Sequence, residues 1–260
     1  MGIFHRLGEY ADILLELIYP QDKICIVCNA YIRDRGKYNI CSHCIKGISF
    51  IGENSCDKCS KVLSTQDMAV FCRDCSKDKY FFDKAIALVE YDKIVAKLIY
   101  KFKYYDCPYL AREMAQMMAD KIKRQELNID GIIGVPLHHR REKRRGYNQS
   151  HLLAKYVGKI LQIRDMKNVL IRKKYTEALH KMSRRKRRST LEGAFQVRDR
   201  EAIKDKDILL IDDIFTTGAT ANSCSKVLLE AGAKSVTVIT FARGILKERD
   251  QGSPELNKGG

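Results

Sequence analysis

The feature that most restricts the fold is a repeated arrangement of cysteines near the start of this 260-residue chain. Eight of the ten cysteines form four C-x2-C pairs, and C-x2-C-x12-C-x2-C occurs twice, the second copy 31 positions after the first. Two such pairs supply four thiolates for a tetrahedral zinc ion. Disulfides explain the pattern less well, because no secretion signal precedes it and cytosolic thiols stay reduced. We therefore expect two structural Zn²⁺ sites that hold the fold without catalysing.

Two ways of grouping the eight cysteines remain open at this point. Pairing within each copy of the repeat is favoured, and it gives one site of Cys25, Cys28, Cys41 and Cys44 and a second of Cys56, Cys59, Cys72 and Cys75. A cross-braced arrangement uses the same residues in a different combination. Either arrangement fills every ligand position with protein, which leaves no open position for chemistry.

A second informative segment, DILLIDDIFTTGATANSC, occupies positions 207–224. An apolar run is followed by Asp212 and Asp213, then by a loop rich in Thr and Gly, then by a helix-compatible stretch. This order predicts a buried parallel strand at 207–212 that delivers two carboxylates to its carboxyl end. Carboxylates accept hydrogen bonds from a vicinal diol, and loop amides at a helix N-terminus hold phosphate. The segment therefore predicts a ribose 5-phosphate site; the alternative is a strand-to-helix turn without a ligand.

The charge of the chain is concentrated in two segments. The formal net charge is +16, yet residues 1–80 hold 11 basic and 10 acidic residues. Residues 139–145 contain five basic residues and one acidic residue, and residues 172–188 contain nine and one. Clusters of nearly one sign favour polyphosphate ligands or nucleic acid over an ordinary solvated face. We predict that the first cluster is a loop after a strand at 131–135, and we expect its Arg140, Arg141 and Arg145 to bind a diphosphate, because their forked guanidinium groups suit phosphate oxygens.

The chain divides by composition into four parts. We predict an N-terminal helix within residues 1–21, a double zinc ribbon at 22–80, an α/β domain at 81–244 and a disordered tail at 245–260. Alternating strand and helix patterns in the third part predict a mostly parallel sheet with helices on both faces. No apolar run reaches 18 residues. We therefore expect a cytoplasmic protein without a membrane span.

These segments together resemble one known family. The four C-x2-C pairs, VPLHHRREKRRGYNQS, TEALHKMSRRKRRSTLEGAF and LLIDDIFTTGAT occur in the order typical of the ComF (ComFC) family. That family joins a zinc ribbon to a type I phosphoribosyltransferase-like domain and is linked to DNA uptake in natural transformation. The resemblance implies that phosphoribosyl diphosphate (PRPP) is the ligand, with Mg²⁺ on its diphosphate. It places the ribose on Asp212 and Asp213, and the 5-phosphate on Thr216, Thr217, Gly218, Ala219 and Thr220.

The resemblance also assigns a role to the second basic cluster. It corresponds to the loop that closes over PRPP in active transferases, so we expect the flexible loop and any DNA contact to involve Arg184, Arg185, Arg187 and Arg188. Leu179, Met182 and Thr190 stand where the family usually has Gln, Leu and Asn. Alternating Tyr and Lys at 100–105 add a candidate surface for stacking bases of single-stranded DNA, although helical spacing also suits a core.

Three functions follow as hypotheses. The first is a PRPP-binding ComF protein that acts in DNA uptake, with single-stranded DNA and proteins of the uptake machinery as partners. The second is an active phosphoribosyltransferase acting on a nucleobase or another acceptor in nucleotide metabolism. The third is a PRPP-sensing regulator without turnover. No residue stands out as a catalytic group or as the determinant of an acceptor.

Overall fold

A computed structural model describes residues 24–32, 37–64, 70–105, 107–176 and 189–244. The predicted N-terminal helix, the tail from residue 245, and Arg184, Arg185, Arg187 and Arg188 lie outside the described residues. The helices and strands, in chain order, are α1 (Ser42–Lys46), α2 (Arg73–Lys77), β1 (Lys84–Glu90), α3 (Lys93–Tyr104), α4 (Leu110–Lys123), β2 (Gly131–Gly134), α5 (His139–Arg145), α6 (Gln149–Leu161), β3 (Leu170–Arg172), β4 (Phe195–Val197), β5 (Asp207–Phe215), α7 (Ala219–Glu230) and β6 (Ser235–Arg243).

The main sheet has four strands in the order β1-β6-β5-β2, and every neighbouring pair is parallel. Helices α4 and α6 contact one face of this sheet. Helix α7 covers the other face, where Leu228 and Cys224 pack in the same apolar cluster as Leu210 and Val238. Strands β3 and β4 form a separate antiparallel pair. The predicted parallel sheet with helices on both faces is therefore confirmed.

Two local details differ from the sequence prediction. Strand β5 was expected to end at Asp212, but it continues to Phe215, because β6 pairs with it along its length, up to Phe215 opposite Arg243. The basic segment 139–145 was expected to be a loop, but it forms α5. His138 caps the first turn of α5 by accepting a hydrogen bond from the Arg140 amide, and Gly146 ends the helix in the left-handed conformation. The His138 side chain satisfies one terminal amide of the helix, and glycine is the residue that most readily adopts the left-handed conformation at a helix end.

The two cysteine-rich units contact different parts of the α/β fold. The first unit lies against α3 and α4, where Lys101 Nζ donates to the Val27 carbonyl at 2.9 Å and Asn39 Nδ2 donates to Glu113 at 3.1 Å. The second unit lies against the β1 side of the sheet, where the Ala85 amide donates to the Lys58 carbonyl at 2.8 Å. Among the described helices, none combines the length and the hydropathy needed to cross a bilayer.

Candidate ligand site and metal centres

The two acids of β5 occupy different environments at its carboxyl end. Asp213 is buried and pairs with Lys103 of α3, with 2.5 Å between Oδ2 and Nζ. Asp212 Oδ1 accepts hydrogen bonds from Ser150 Oγ at 2.8 Å and from the Asp213 amide at 2.9 Å. Alternation along a strand sends adjacent side chains to opposite faces, so the two carboxylates have different neighbours.

The carboxyl group of Asp212 has a raised pKa. Burial of its carboxyl, and then the charge of Asp213, raise the pKa of Asp212 to about 7, although the hydrogen bond from Ser150 and the nearby Lys103 favour the ionised form. The residue keeps some exposed surface. A carboxyl group at an open pocket with a pKa near neutrality can change its charge state when a ligand binds.

The loop after β5 forms one wall of a pocket. The lining residues are Asp212, Ile214, Phe215, Thr216, Gly218, Ala219, Thr220, Ala221 and Thr240. Five of the seven residues predicted to hold ribose and 5-phosphate are in this set. The remaining two, Asp213 and Thr217, are buried and do not line it. The structure therefore brings the predicted loop and one of the two acids together around a single opening.

Gly218 determines the shape of this loop. Its φ is +74°, a left-handed conformation that favours glycine, and it is the N-cap of the twelve-residue helix α7. A Cβ atom at Gly218 would lie 2.6 Å from Cζ of Phe215. Helix α7 has no side-chain cap at its start. Within the first turn, the Ala219 amide donates to Thr217 Oγ1 at 3.4 Å. The start of a helix can bind an anion through backbone amides that have no partner inside the helix.

A close approach between α6 and β2 places Ser150 beside Asp212. Gly134 permits it, because a Cβ atom there would lie 2.6 Å from the Ser150 carbonyl oxygen. Asn148 fixes the entry of α6 by capping the amides of Ser150 and His151, and its Nδ2 donates to the Val135 carbonyl at 3.1 Å. Because β2 and β5 are parallel neighbours, the segment after β2 emerges on the same sheet edge as the acids.

The three arginines predicted for diphosphate lie on α5, which follows β2. Arg140 is exposed, and its guanidinium carbon lies 5.5 Å from the ring centre of Tyr175. Arg141 donates to the Thr176 carbonyl at 2.8 Å, and Arg145 donates to Gln149 Oε1 at 2.9 Å. Two of the three guanidinium groups are thus held by protein acceptors, and Arg140 is the most accessible.

The aromatic stripe of α3 divides into a core residue and a surface cluster. Phe102 is fully buried, whereas Tyr100, Tyr104 and Tyr105 are more than half exposed. The ring of Tyr100 lies 4.9 Å from that of Tyr104 and 5.6 Å from that of Tyr105. Arg145 of α5 lies over Tyr104, with 5.3 Å from its guanidinium carbon to the ring centre. We call the three exposed tyrosines the tyrosine cluster.

The eight cysteines form two groups of four, each drawn from one copy of the repeat. The groups are Cys25, Cys28, Cys41 and Cys44, and Cys56, Cys59, Cys72 and Cys75, with all sulfur atoms of a group within 4.8 Å of one another. Sulfurs about 2.3 Å from a tetrahedral zinc ion lie about 3.8 Å apart. The Sγ atoms of Cys28 and Cys41 are 3.8 Å apart, and those of Cys59 and Cys72 are 3.7 Å apart. Both groups fit zinc, and the sequential arrangement is the one observed.

Three residues of this region were not assigned to the site from the sequence. Lys103 was considered only within the Tyr/Lys segment 100–105, and Ser150 and Arg243 were given no role. The buried Arg243 donates to the carbonyls of Phe215 and Thr216 in the pocket loop. For Lys103, the available signal was its position one residue after the buried Phe102. For Arg243, it was a charge at the end of an apolar strand.

An all-parallel sheet with an acid pair and a Thr/Gly loop at its carboxyl edge, preceded by two four-cysteine units, defines a type I phosphoribosyltransferase-like protein with a double zinc ribbon. Family models agree: "Double zinc ribbon domain" matches residues 14–76 and "Phosphoribosyl transferase domain" matches residues 103–257.

Individual relatives narrow this class to a family. Competence protein F of Haemophilus influenzae is 32% identical over 227 residues, which cover 84% of this chain and 96% of that protein. Competence protein ComFC of Streptococcus pneumoniae is 31% identical over 208 residues, covering 78% and 87%. DNA utilization protein YhgH of Escherichia coli is 26% identical over 225 residues, covering 85% and 96%. The chain belongs to the ComF family.

Proposed function

We propose that this protein binds PRPP with Mg²⁺ and acts in the handling of DNA taken up by the cell. The main observation in favour of this ligand is the pocket at the carboxyl end of β5, which is lined by Asp212, the following loop and the first turn of α7. An acid beside an anion-binding helix start suits a molecule that carries both a diol and a phosphate. The names of the competence and DNA utilization relatives support the biological role.

In this proposal the ligand occupies the edge of the sheet. The ribose hydroxyls donate to Asp212 and Asp213, and the 5-phosphate accepts from the amides and hydroxyls of residues 216–220. The diphosphate extends toward Arg140 on α5, which follows the neighbouring strand β2. Mg²⁺ would neutralise the diphosphate oxygens, as hard cations prefer oxygen ligands.

Calorimetry with PRPP and Mg²⁺ tests this function. We compare the wild type with the double variant Asp212→Asn, Asp213→Asn, which loses two charged acceptors. The affinity should fall by about 1.5–3 kcal/mol for each hydrogen bond lost. Asp207→Asn, at the other end of the same strand, is the matched control and should bind like the wild type. Equal affinity in the double variant would remove the ribose role.

A measurement of turnover distinguishes the two alternatives, an active phosphoribosyltransferase and a PRPP-sensing regulator. Loss of diphosphate from PRPP develops positive charge at the ribose carbon, and a transferase stabilises that state while excluding water. Diphosphate release in the presence of pooled nucleobases would identify an active phosphoribosyltransferase. Saturable PRPP binding without release would instead favour a regulator that senses PRPP.

A second function, contact with single-stranded DNA, is favoured by the tyrosine cluster. Exposed aromatic rings next to arginines are the arrangement on which bases stack while the backbone is neutralised. Arg145 already lies over Tyr104, and Arg144 and Arg140 are exposed on the same helix. Replacing Tyr104 and Tyr105 by Ala should weaken binding of a fluorescent single strand, at about 1–3 kcal/mol for each stacked base. Tyr31→Ala, an exposed tyrosine of the first zinc ribbon, serves as the control.

A further inference from the structure

Arg243 lies between the second four-cysteine group and the loop of the pocket. It is 8% exposed at the end of β6. On one side, Nε donates to the Cys59 carbonyl at 3.1 Å and Nη2 lies 3.8 Å from Cys59 Sγ. On the other side, Nη1 donates to the carbonyls of Phe215 at 3.2 Å, Thr216 at 2.7 Å and Gly244 at 2.8 Å. The Arg243 side chain therefore connects Cys59 to the start of residues 216–220, which we call the phosphate loop.

The chemistry of arginine suits this position. Its guanidinium group is planar and rigid, so acceptors on its two sides are held at a fixed separation. Four thiolates around a divalent zinc ion leave a net negative charge, which complements a buried cation. A hydrogen bond to a ligand sulfur is the kind of outer contact that orients metal ligands. Arg243 is therefore matched to an occupied metal site.

A second set of contacts runs through Phe215. The centre of its ring lies 5.0 Å from the guanidinium carbon of Arg243. The rings of Phe215 and Phe82 pack edge to face, with 5.9 Å between their centres. Phe215 also fills the space that a Cβ atom of Gly218 would need. Any displacement of Arg243 therefore acts on the ring that supports the turn before α7, where the phosphate is proposed to bind.

The first four-cysteine group makes different connections. Its neighbours Val27 and Asn39 bond to Lys101 on α3 and Glu113 on α4. The two metal sites thus differ in what they support, although their cysteine patterns are the same.

We propose that occupancy of the second four-cysteine site controls the shape of the phosphate loop through Arg243, and thereby controls the affinity for a phosphorylated sugar. This inference rests on the proposed binding of PRPP. Arg243 is a positioning residue, since it touches the loop backbone and not the ligand. The first site stabilises its own ribbon and has little influence on the loop.

The first experiment compares loss of each metal site in the full chain. Cys75→Ser removes a ligand from the second site, and Cys28→Ser removes one from the first. Bound zinc should fall from two to one per chain in each variant. Hydrogen exchange of a peptide covering residues 212–224 should increase in Cys75→Ser and remain as in the wild type in Cys28→Ser. Equal exchange of this peptide in both variants would overturn the coupling.

The second experiment tests Arg243 itself. Arg243→Lys keeps the charge but cannot bridge acceptors on both sides. It should retain two zinc ions per chain, and PRPP affinity should fall about tenfold or more, as expected when hydrogen bonds to a charged group are lost. Adding Cys75→Ser to this variant should cause little further loss. Full additivity of the two changes, or unchanged affinity in Arg243→Lys, would refute the role of Arg243.

PRPP binding and the coupling between the second metal site and the loop can be tested independently. If wild-type protein shows no PRPP binding, the proposed function is wrong, and the exchange comparison still decides whether the second metal site shapes the loop. If PRPP binds but the exchange of residues 212–224 ignores the second site, the coupling is wrong and the proposed function stands.

Discussion

Lys103 and Asp213 form an ion pair, 2.5 Å from Nζ to Oδ2, that ties helix α3 to the end of strand β5. Their side chains are 18% and 11% exposed. The same turn of α3 carries Tyr104 on its exposed side. A ligand that binds Asp213 would therefore also lie close to the Lys103 ammonium group. The same helix, α3, carries the exposed ring of Tyr104.

Removing this ammonium should destabilise the fold and the site together. Lys103→Met leaves a mostly buried carboxylate without its cation, and we expect a loss of about 1–3 kcal/mol in the free energy of unfolding, below the value for a fully buried pair because Lys103 keeps some exposure. Chemical denaturation measures it. Lys97→Met, an exposed position on the same helix, should change stability by less than about 0.5 kcal/mol. Equal effects of the two changes would contradict the importance of the pair.

The raised pKa of Asp212 predicts a specific dependence of stability on pH. Its carboxyl keeps a proton up to about pH 7 in the native state, whereas an unfolded Asp loses it near pH ~3.9. Between these values the native state binds more protons, so this group makes stability fall as pH rises from about 4 to 7. Asp212→Asn removes the effect.

Denaturant unfolding at several pH values measures the difference between Asp212→Asn and the wild type. The variant should gain stability relative to the wild type as pH rises toward about 8, and the gain should vanish near pH ~4. A difference that does not vary with pH would show that Asp212 titrates normally.

Gly218 should be intolerant of any side chain. Gly218→Ala combines a left-handed backbone, at about 1–2 kcal/mol, with a collision between the new methyl group and Phe215. Gly146→Ala is a close control, because Gly146 has φ +80° and nothing within 4 Å of the added atom. We expect Gly218→Ala to lose about 1–3 kcal/mol more stability than Gly146→Ala, from overpacking. Similar losses would mean that Phe215 yields without cost.

The arginines at 184, 185, 187 and 188 should account for much of any binding to single-stranded DNA. Log affinity should fall linearly with log salt, at about −0.7 per phosphate contact. Replacing Arg184, Arg185, Arg187 and Arg188 by Ala should flatten this slope by about two to three. PRPP should compete if the same arginines serve both ligands.

A control of equal charge separates contact from general attraction. Four exposed lysines elsewhere, replaced together by Ala, remove the same charge: Lys97, Lys123, Lys159 and Lys204. This variant should keep most of the wild-type slope. If wild-type protein shows no salt-dependent binding at low ionic strength, DNA contact is wrong, and the charge serves PRPP or another polyanion.

The parts of the site predicted from sequence are those encoded in one short segment. The acid pair, the Thr/Gly loop and each set of four cysteines are local patterns, and they lie where the pattern indicates. Ser150 and Asp212 are separated by 62 positions, and Arg243 and Cys59 by 184. Such partners meet only through packing, as at Gly134, which lets α6 approach β2. No periodicity or motif encodes that proximity.

The lengths of elements were less predictable for a related reason. Strand β5 continues through both acids because β6 continues beside it as far as Arg243. A hydrophobic run in a sequence indicates which residues are buried. Asp212 and Asp213 interrupt this run, but they do not interrupt the pairing between β5 and β6. Helix α5 forms although five of its seven residues are basic, and it is bounded by the N-cap His138 and by Gly146 in the left-handed conformation.

The apolar interior does not respect the boundary between ribbon and sheet. Cys25 and Ile48 share a packed cluster with α3 and α4, and Cys56 and Cys72 share one with Phe215 and α7. Cutting the chain before β1 would strip cover from both sides of the sheet and leave apolar surfaces facing water. The phosphoribosyltransferase-like half is therefore a poor candidate for separate expression. Neither the zinc ribbon nor the α/β part should be removed to shorten this protein, because each contributes side chains to the core of the other.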